Sequence, residues 1–496
     1  MLRQAYRLVK NATMARQPPK NPLLVVVGAT GTGKSQVPPR PSPSDTAANI
    51  IPQLAVELAT RFNGEIINGD AMQMYDGLPI ITNKITPEEQ NRIPHHLLGF
   101  IALDEESWRV GLFKRRASQV IREIRSRGRL PILVGGTNYY TQSLLIEESL
   151  VAEQHEEGEQ EPEELSSKDI LEKYPILDAP TEAILERLKE VDPVMAGRWH
   201  PKDRRRIQRS LEIFLLTGKR ASDIYMEQKE RKNVAADLLE GGDISDPAEQ
   251  DPLVFWVHAE AETLKTRLNA RVDKMLQAGL LNEVKSMDSY LHQHANLGQQ
   301  IDSSSGIWIS IGWKEFKPYL AALRAGTESQ EKLDELLALS LEKVKSATRQ
   351  YANRQVRWIR LKLLTNLSNQ NLADRFYLLD GTDLSRWSEA VLNPALDVTA
   401  DFLAGSEPQA PSSLSDVAKE LLTPRRSYDF ADRRDLWVRH ECEICHTVCT
   451  TEEQWQTHIQ GRTHRRGLKK QRKSARRERS PVQGGQSPPL LEDVPQ

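Results

Sequence analysis

Apolar residues along this 496-residue chain fall into two recurring patterns. The first is a short, nearly unbroken aliphatic run that stops at glycine or a polar residue, at 23–27, 65–67, 130–134 and 253–257. Runs of that kind fit strands buried on both faces, as in a parallel sheet. The second is a helical spacing of apolar positions, which predicts helices over 54–62, 108–127, 260–288, 313–325 and 330–363. Strands alternating with helices predict an α/β fold with a parallel sheet core. Residues 141–250 read as mostly helical and interrupt that alternation, so they are expected to form an inserted domain. The expected division is a tail over 1–21, a core in two parts over 22–140 and 251–384, and a linker over 385–435. A small C-terminal domain over 436–468 and a basic, then disordered tail over 469–496 complete it.

The first aliphatic run leads straight into Gly28-Ala29-Thr30-Gly31-Thr32-Gly33-Lys34-Ser35. This is G-x-x-x-x-G-K-S/T, the phosphate-cradling P-loop. Its glycines let backbone N–H groups turn onto phosphate oxygens. Lys34 adds a point charge, and Ser35 can reach a phosphate-bound Mg²⁺. A helix is expected to start at Lys34–Ser35, with its positive end toward the anion. Four prolines within 38–43 prevent that. The helical pattern resumes only at Leu54. Without 37–53 the text reads Gly-Lys-Ser-Gln-Leu-Ala-Val-Glu-Leu-Ala, an unbroken helix start. The segment begins with Val (codons GT-) and ends with Gln (CAG), the edges of an intron. It is either a retained intron or an inserted loop.

The run 65–67 continues into Asn68-Gly69-Asp70-Ala71-Met72-Gln73. At the carboxyl end of a parallel strand Asp70 faces the ligand crevice. There it is a metal partner, a general base or a substrate hook, or else it caps the helix beginning at Ala71. His95 and His96 lack a third ligand at useful spacing and are read as structural. Between 65 and 140 no strand reads as four aliphatics followed by Asp, which counts against an ordinary ATPase motor.

Composition changes the picture at the ends. The formal net charge is −2, yet residues 1–44 contain no Asp or Glu. Basic and acid-free, the N-terminus is a mitochondrial presequence or a disordered basic tail. Met14 offers a second start that would leave the chain in the cytoplasm or nucleus. No apolar run is long enough to span a membrane. The Glu-rich stretch 147–165 reads as a disordered acidic loop, and 232–251 as a surface loop. All three cysteines, Cys442, Cys445 and Cys449, lie within eight residues. Cys442-x₂-Cys445-x₁₂-His458-x₅-His464 predicts a tetrahedral Zn²⁺ site, with the cysteines on a turn and the histidines on a helix. Cys449 and His446 are left over, and Trp437 and Trp455 are expected to pack the small core. A Lys/Arg-dense run follows the finger and reads as a nuclear signal or RNA-binding arm.

Taken in order, these motifs resemble the tRNA dimethylallyltransferases, also called tRNA isopentenyltransferases. The P-loop, Asn68–Tyr75, Pro94-His-His-Leu97 and Leu133-Val-Gly-Gly-Thr137 carry the resemblance. So do Val191-Asp-Pro193, Arg198-Trp-His-Pro201 and Arg206–Ile213 with Thr217-Gly-Lys219. Arg271–Leu280 with Glu283, Ile311–Phe316 and Ala347–Gln350 with Arg354, Gln355 and Trp358 complete the set over 22–361. The finger is similar to matrin or U1-type RNA-binding fingers, as in eukaryotic members. The resemblance implies a P-loop NTPase-like core with an inserted helical tRNA-binding domain and a C-terminal zinc finger. It implies transfer of a dimethylallyl group from dimethylallyl diphosphate to N6 of adenosine 37 in tRNA, with Mg²⁺ for catalysis and Zn²⁺ in the finger.

The implied roles follow. The P-loop, residues 28–35, holds the diphosphate, with Mg²⁺ on Ser35. Thr30 and Arg271 act on the leaving group, and Asp70 is the general base. Asp70, Ala71, Met72, Gln73 and Thr137 hold the adenine and its neighbours. Arg204, Arg205, Arg206, Arg209, Arg349 and Arg354 meet tRNA phosphates. The chain is expected to be a monomer, mitochondrial and cytoplasmic, with nuclear entry open. Two rival readings stand beside this one: a P-loop kinase of a nucleotide or small metabolite, and a zinc-finger RNA-binding protein with a relic P-loop.

Overall fold

The computed structural model describes residues 17–34, 54–146, 167–227, 250–299, 301–423, 440–445 and 447–478. The chain divides into two compact units, one from Met1–Glu153 and Asp243–Tyr428, the other from Gln154–Gly242 and Asp429–Gln496.

In the first unit β1 (Pro22–Gly28) is followed by α1 (Leu54–Arg61) and β2 (Gly64–Gly69). Next come β3 (His95–His96), α2 (Val110–Ser126), β4 (Leu130–Gly135) and α3 (Asn138–Leu145). The second unit then contributes α4 (Thr181–Val191), α5 (Pro193–Arg198) and α6 (Arg204–Thr217). The chain returns with β5 (Asp251–His258), α7 (Ala261–Gln277), α8 (Leu280–Asn296), α9 (Trp313–Ala325) and α10 (Gln330–Trp358). β6 (Phe376–Asp380), α11 (Asn393–Ala404) and α12 (Asp416–Leu422) close the unit.

The six strands form one sheet in the order β3-β2-β4-β1-β5-β6. Every pairing is parallel, with Val25 opposite Leu133 on one side and Val254 on the other. Alternation sends β1 residues Leu23, Val25 and Val27 to one face, and Leu24 and Val26 to the other. The first face is covered by α2 through Phe113, Ala117, Ile121 and Ile124, and by α9 through Trp313, Phe316 and Leu320. The second is covered by α1 through Leu54 and Leu58, and by Trp387, Val391, Ala395, Val398 and Phe402. Both faces are therefore dry, which is why the strands read as continuous aliphatic runs.

Four sequence expectations change. The stretch expected as a linker from 385 is core up to 404, where it covers the second face of the sheet beside α1, and again in α12, whose Ala418 packs in the core of the first face. The sixth strand, β6, is an addition, and it reads Phe-Tyr-Leu-Leu-Asp, two aromatics and two leucines before an Asp. It lies two strands from β1, and its Asp380 accepts from the Thr382 N–H at 3.0 Å and the Thr382 hydroxyl at 2.5 Å. The helix expected over 260–288 is two helices, broken at Gly279, whose φ of +107° an L side chain rarely adopts. The break starts α8 so that Glu283 accepts from the N–H groups of Ile80 and Ile81 at 2.9 and 2.8 Å. Finally, Tyr140, Leu144 and Leu145 of α3 pack in the core, so the insertion begins after 145 and not at the expected 141.

Within the insertion Asp192 is fully buried and accepts from Met195 N at 3.1 Å and Ser222 N at 2.9 Å. One carboxylate thus caps α5 and ties in the first turn of the helix over 221–227. The C-terminal module is a hairpin of β7 (His440–Glu441) and β8 (Val448–Cys449), then α13 (Glu452–Gln460) and α14 (Arg462–Glu478). Among the described residues no helix is long and apolar enough to cross a membrane.

Candidate active site

The carboxyl ends of β1, β2 and β4 lie side by side and carry Ala29–Thr30, Asp70 and Gly136–Thr137. The P-loop turns at once: the Thr32 hydroxyl donates to Ala29 O at 2.9 Å. Gly31 has φ +85° and Gly33 φ +94°, and a Cβ on Gly33 would lie 2.6 Å from the Trp387 ring. The loop is thereby wedged between α7 and the segment that follows β6. Lys34 is buried and folds its ammonium back onto Gly28 O and Ala29 O, both at 2.7 Å. Burial pushes its pKa down from 10.5 to about 7, against the pull of Asp70 and with help from Arg271. Ser35 and the expected helix start lie outside the described residues, as does 37–53. The helix after the loop begins at Leu54, where the hydrophobic pattern resumes.

Arg271, on α7, donates to the Thr30 hydroxyl at 2.8 Å. Burial lowers its pKa to about 10, and Asp70 opposes the shift. Its Nε is buried without a hydrogen-bond partner among the described residues. Two cations and one carboxylate thus form a buried charge cluster, an arrangement that favours a multivalent anion.

Asp70 follows β2 and is held from three sides. Its N–H donates to Asn68 Oδ1 at 3.0 Å, and its Oδ1 accepts from Met72 N at 3.0 Å. Gly136 packs against the carboxylate so tightly that a Cβ there would sit 2.1 Å from Oδ2. Burial raises the carboxyl above its ordinary value, against the Met72 N–H, the Lys34 charge, the Gln73 N–H and the Arg271 charge. Asp70 thus holds the N–H of Met72 at the start of the 3₁₀ turn Met72–Met74 and lies in the charge field of Lys34 and Arg271. Thr137 accepts from Ala71 N at 3.0 Å, which ties the β4 loop to the β2 loop. Gln73 is largely buried and donates to Asn83 O at 3.1 Å.

The histidine pair is structural, since His96 meets Glu65 at 2.6 Å and His95 meets Ile93 O at 2.8 Å. Glu65 is buried and also takes Arg127 at 2.7 Å and Arg129 at 3.1 Å.

A family model described as IPP transferase matches residues 73–362. A tRNA dimethylallyltransferase of Schizosaccharomyces pombe is 37% identical over 473 residues, 92% of this chain and 97% of that one. The Homo sapiens tRNA dimethylallyltransferase is 33% identical over 455 residues, 91% of this chain and 87% of the relative. The chain belongs to the tRNA dimethylallyltransferase family. A solved structure of a eukaryotic dimethylallyltransferase acting on tRNA is similar to this one, with a TM-score of 0.69 and 31% identity. That similarity covers 92% of this chain and 99% of the other.

A second model, a zinc finger of C2H2 type, matches residues 440–464 of this dimethylallyltransferase family member. Cys442, Cys445, His458 and His464 bring their ligand atoms within 4.8 Å of one another. Cys442 Sγ lies 3.3 Å and Cys445 Sγ 3.8 Å from His464 Nδ1, close to the edges of a tetrahedron with Zn bonds of roughly 2.0–2.3 Å. The His458 Nε2 is buried with no other partner among the described residues. The donors therefore fit zinc. Contrary to expectation the histidines lie on two helices, α13 and α14, which part at Gly461. Six positions apart on one helix they would point to different faces, so the break is what brings both to the metal. Cys449 is buried opposite His440 in the hairpin, outside the cluster. Trp455 stacks on His440 at 4.9 Å, and Trp437 and His446 lie outside the described residues. Removing zinc with a chelator is expected to lower the melting temperature of this module selectively. Hydrogen exchange of 440–464 against that of β1 and β4 in the full chain checks it.

The arginines differ in how they are engaged. Arg204 donates to Ala179 O and Leu177 O at 2.5 and 3.1 Å, and Arg209 pairs with Glu212 at 2.7 Å. Arg206 stacks over Trp199 at 5.2 Å, beside Arg198 at 4.8 Å over the same ring. Arg205 and Arg354 are exposed, and Arg349 donates to Asn269 at 2.5 Å. Sequence reasoning assigned no role to Asn68, Gly136, Tyr351 or Gln355. The four-residue spacing of Tyr351 and Gln355, which puts both on one helix face, is the signal in the sequence.

Proposed function

We propose that this chain transfers the dimethylallyl group of dimethylallyl diphosphate to N6 of adenosine 37 in tRNA, releasing diphosphate. The observation that carries the mechanism is the meeting of Thr30 and Lys34 after β1 with Asp70 after β2 and Arg271 on α7. As the allylic C–O bond breaks, Lys34 and Arg271 neutralise the leaving diphosphate, and Thr30, held by Arg271, hydrogen-bonds it. The N6 lone pair forms the new bond to carbon, and Asp70 accepts the N6 proton. The raised carboxyl pKa suits that step, because it brings the acceptor nearer the working pH. The exocyclic amine is a poor nucleophile, so its alignment against the allylic carbon matters as much as the proton.

The adenine has to leave the anticodon-loop stack to reach this pocket. Ala71, Met72, Gln73 and Thr137 would line its path. Arg205, Arg206, Arg349 and Arg354 would take tRNA phosphates, with Arg204 and Arg209 bracing the insertion. Mg²⁺ fits the hard oxygen donors of a diphosphate and the Ser35 hydroxyl, and it would supply further charge neutralisation. The acid-free N-terminus, outside the described residues, supports mitochondrial delivery, with a cytoplasmic form from Met14.

Incubation with dimethylallyl diphosphate and unmodified tRNA carrying A36-A37-A38, followed by nucleoside digestion, is expected to yield N6-dimethylallyladenosine. Phosphate transfer from ATP to a small molecule would support a kinase instead.

Lys34 makes diphosphate binding pH-dependent. In the free protein its ammonium is lost as pH rises through about 7. A bound anion favours the charged form, so binding above that pH takes up a proton and affinity falls as pH rises. Calorimetry in buffers of different ionisation enthalpy should show proton uptake at pH 8 and almost none at pH 6. Equal uptake at both would contradict the assignment.

A further inference from the structure

α10 delivers one buried amide to the gap between the P-loop and the β4 loop. Gln355 is 2% exposed. Its Oε1 accepts from Thr30 N at 2.8 Å, and its Nε2 donates to Gly136 O at 3.0 Å. One turn earlier on the same face, the Tyr351 hydroxyl donates to that Gly136 oxygen at 3.2 Å. Thr30 is the residue that receives Arg271, and Gly136 is the residue against which the Asp70 carboxylate packs. One side chain therefore links the loop that grips the leaving group to the loop that backs the base.

We infer that Gln355 is a positioning residue, whose amide sets the distance between the leaving-group end and the proton-accepting end of the site. This rests on the transferase reading above. Displacement at carbon needs N6, the allylic carbon and the departing oxygen in line, and an error of about 1 Å costs about 10²-fold in rate. Gln355 does not contribute charge. With it removed, Lys34 and Arg271 still pull on the diphosphate and the C–O bond still breaks, but N6 is out of line. Water then competes: its oxygen bonds the allylic carbon, diphosphate leaves with the C–O electron pair, and the water proton goes to solvent. The product is dimethylallyl alcohol.

The test uses full-length protein, dimethylallyl diphosphate and unmodified tRNA, and measures prenylated tRNA and dimethylallyl alcohol together. Gln355→Met keeps the volume and loses both hydrogen bonds. Two bonds at about 0.5–1.5 kcal/mol each correspond to a kcat about 10–100-fold lower. KM for dimethylallyl diphosphate should stay within about threefold, and the ratio of alcohol to prenylated tRNA should rise about tenfold or more. Tyr351→Phe removes only the shared donor and should move the ratio the same way by about threefold. A folded Gln355→Met protein with unchanged ratio and kcat overturns the inference. If Gln355→Met does not fold, an unchanged ratio in Tyr351→Phe overturns it. Wild-type protein that leaves tRNA unprenylated removes the transferase reading itself, a result distinct from either variant's.

Discussion

Asp70→Ala is expected to lower the turnover of tRNA prenylation by about 10²–10⁴-fold, the range for losing a positioned proton acceptor. The same change should leave diphosphate binding intact or tighter. Among the described residues Asp70 is the carboxylate whose charge acts on both Lys34 and Arg271, so its loss removes a repulsion for the incoming anion. Lys34 loses the charge that raises its pKa, and the anion itself then restores the ammonium on binding. The signature is a fall in kcat with KM for dimethylallyl diphosphate unchanged or lower. The Met72 cap is lost as well, at a cost of about 1 kcal/mol, so Asp70→Asn serves as the matched variant that keeps an acceptor for that N–H. Near-normal turnover in Asp70→Asn would remove Asp70 from the base role.

Gly136→Ala should be almost as damaging without touching a reactive group. A Cβ 2.1 Å from Asp70 Oδ2 has no room, and the carboxylate has to swing away. Such a displacement costs about 10²-fold or more in kcat, and the overpacking itself about 1–3 kcal/mol in stability. Gly136 also gives its carbonyl to Gln355 and Tyr351, so the loop has little freedom to retreat. A thermal melt and single-turnover kinetics on one preparation separate the two effects. Stability lost with turnover preserved would show that the carboxylate tolerates the shift.

The parts of this site that lie within a few residues of one another were readable from the sequence. The strand-to-glycine transitions at Gly28, Gly69 and Gly135 announced both the sheet and the ends that carry chemistry, because a sheet dry on both faces admits only apolar runs. The Cys and His spacing announced the finger. The unreadable parts depend on distant contacts. Gln355 and Thr30 are 325 positions apart, and no local pattern shows that an amide on α10 turns toward the P-loop. Trp387 looked like part of a linker until the uncovered face of the sheet and Gly33 gave it a place. The two helix breaks have glycine signals, Gly279 and Gly461. A glycine inside a helical pattern is tolerated often enough that the break shows only when Glu283 and His464 are seen with their partners.

The central claim is that this P-loop holds a leaving group rather than a phosphate donor. The most direct measurement follows dimethylallyl diphosphate labelled separately in the prenyl carbon and in the diphosphate, with unmodified tRNA, Mg²⁺ and no ATP. The account predicts prenyl label in tRNA and an equal amount of free diphosphate, independent of added ATP. Prenylation that requires ATP, or phosphate label transferred to an acceptor while tRNA stays unlabelled, would contradict it.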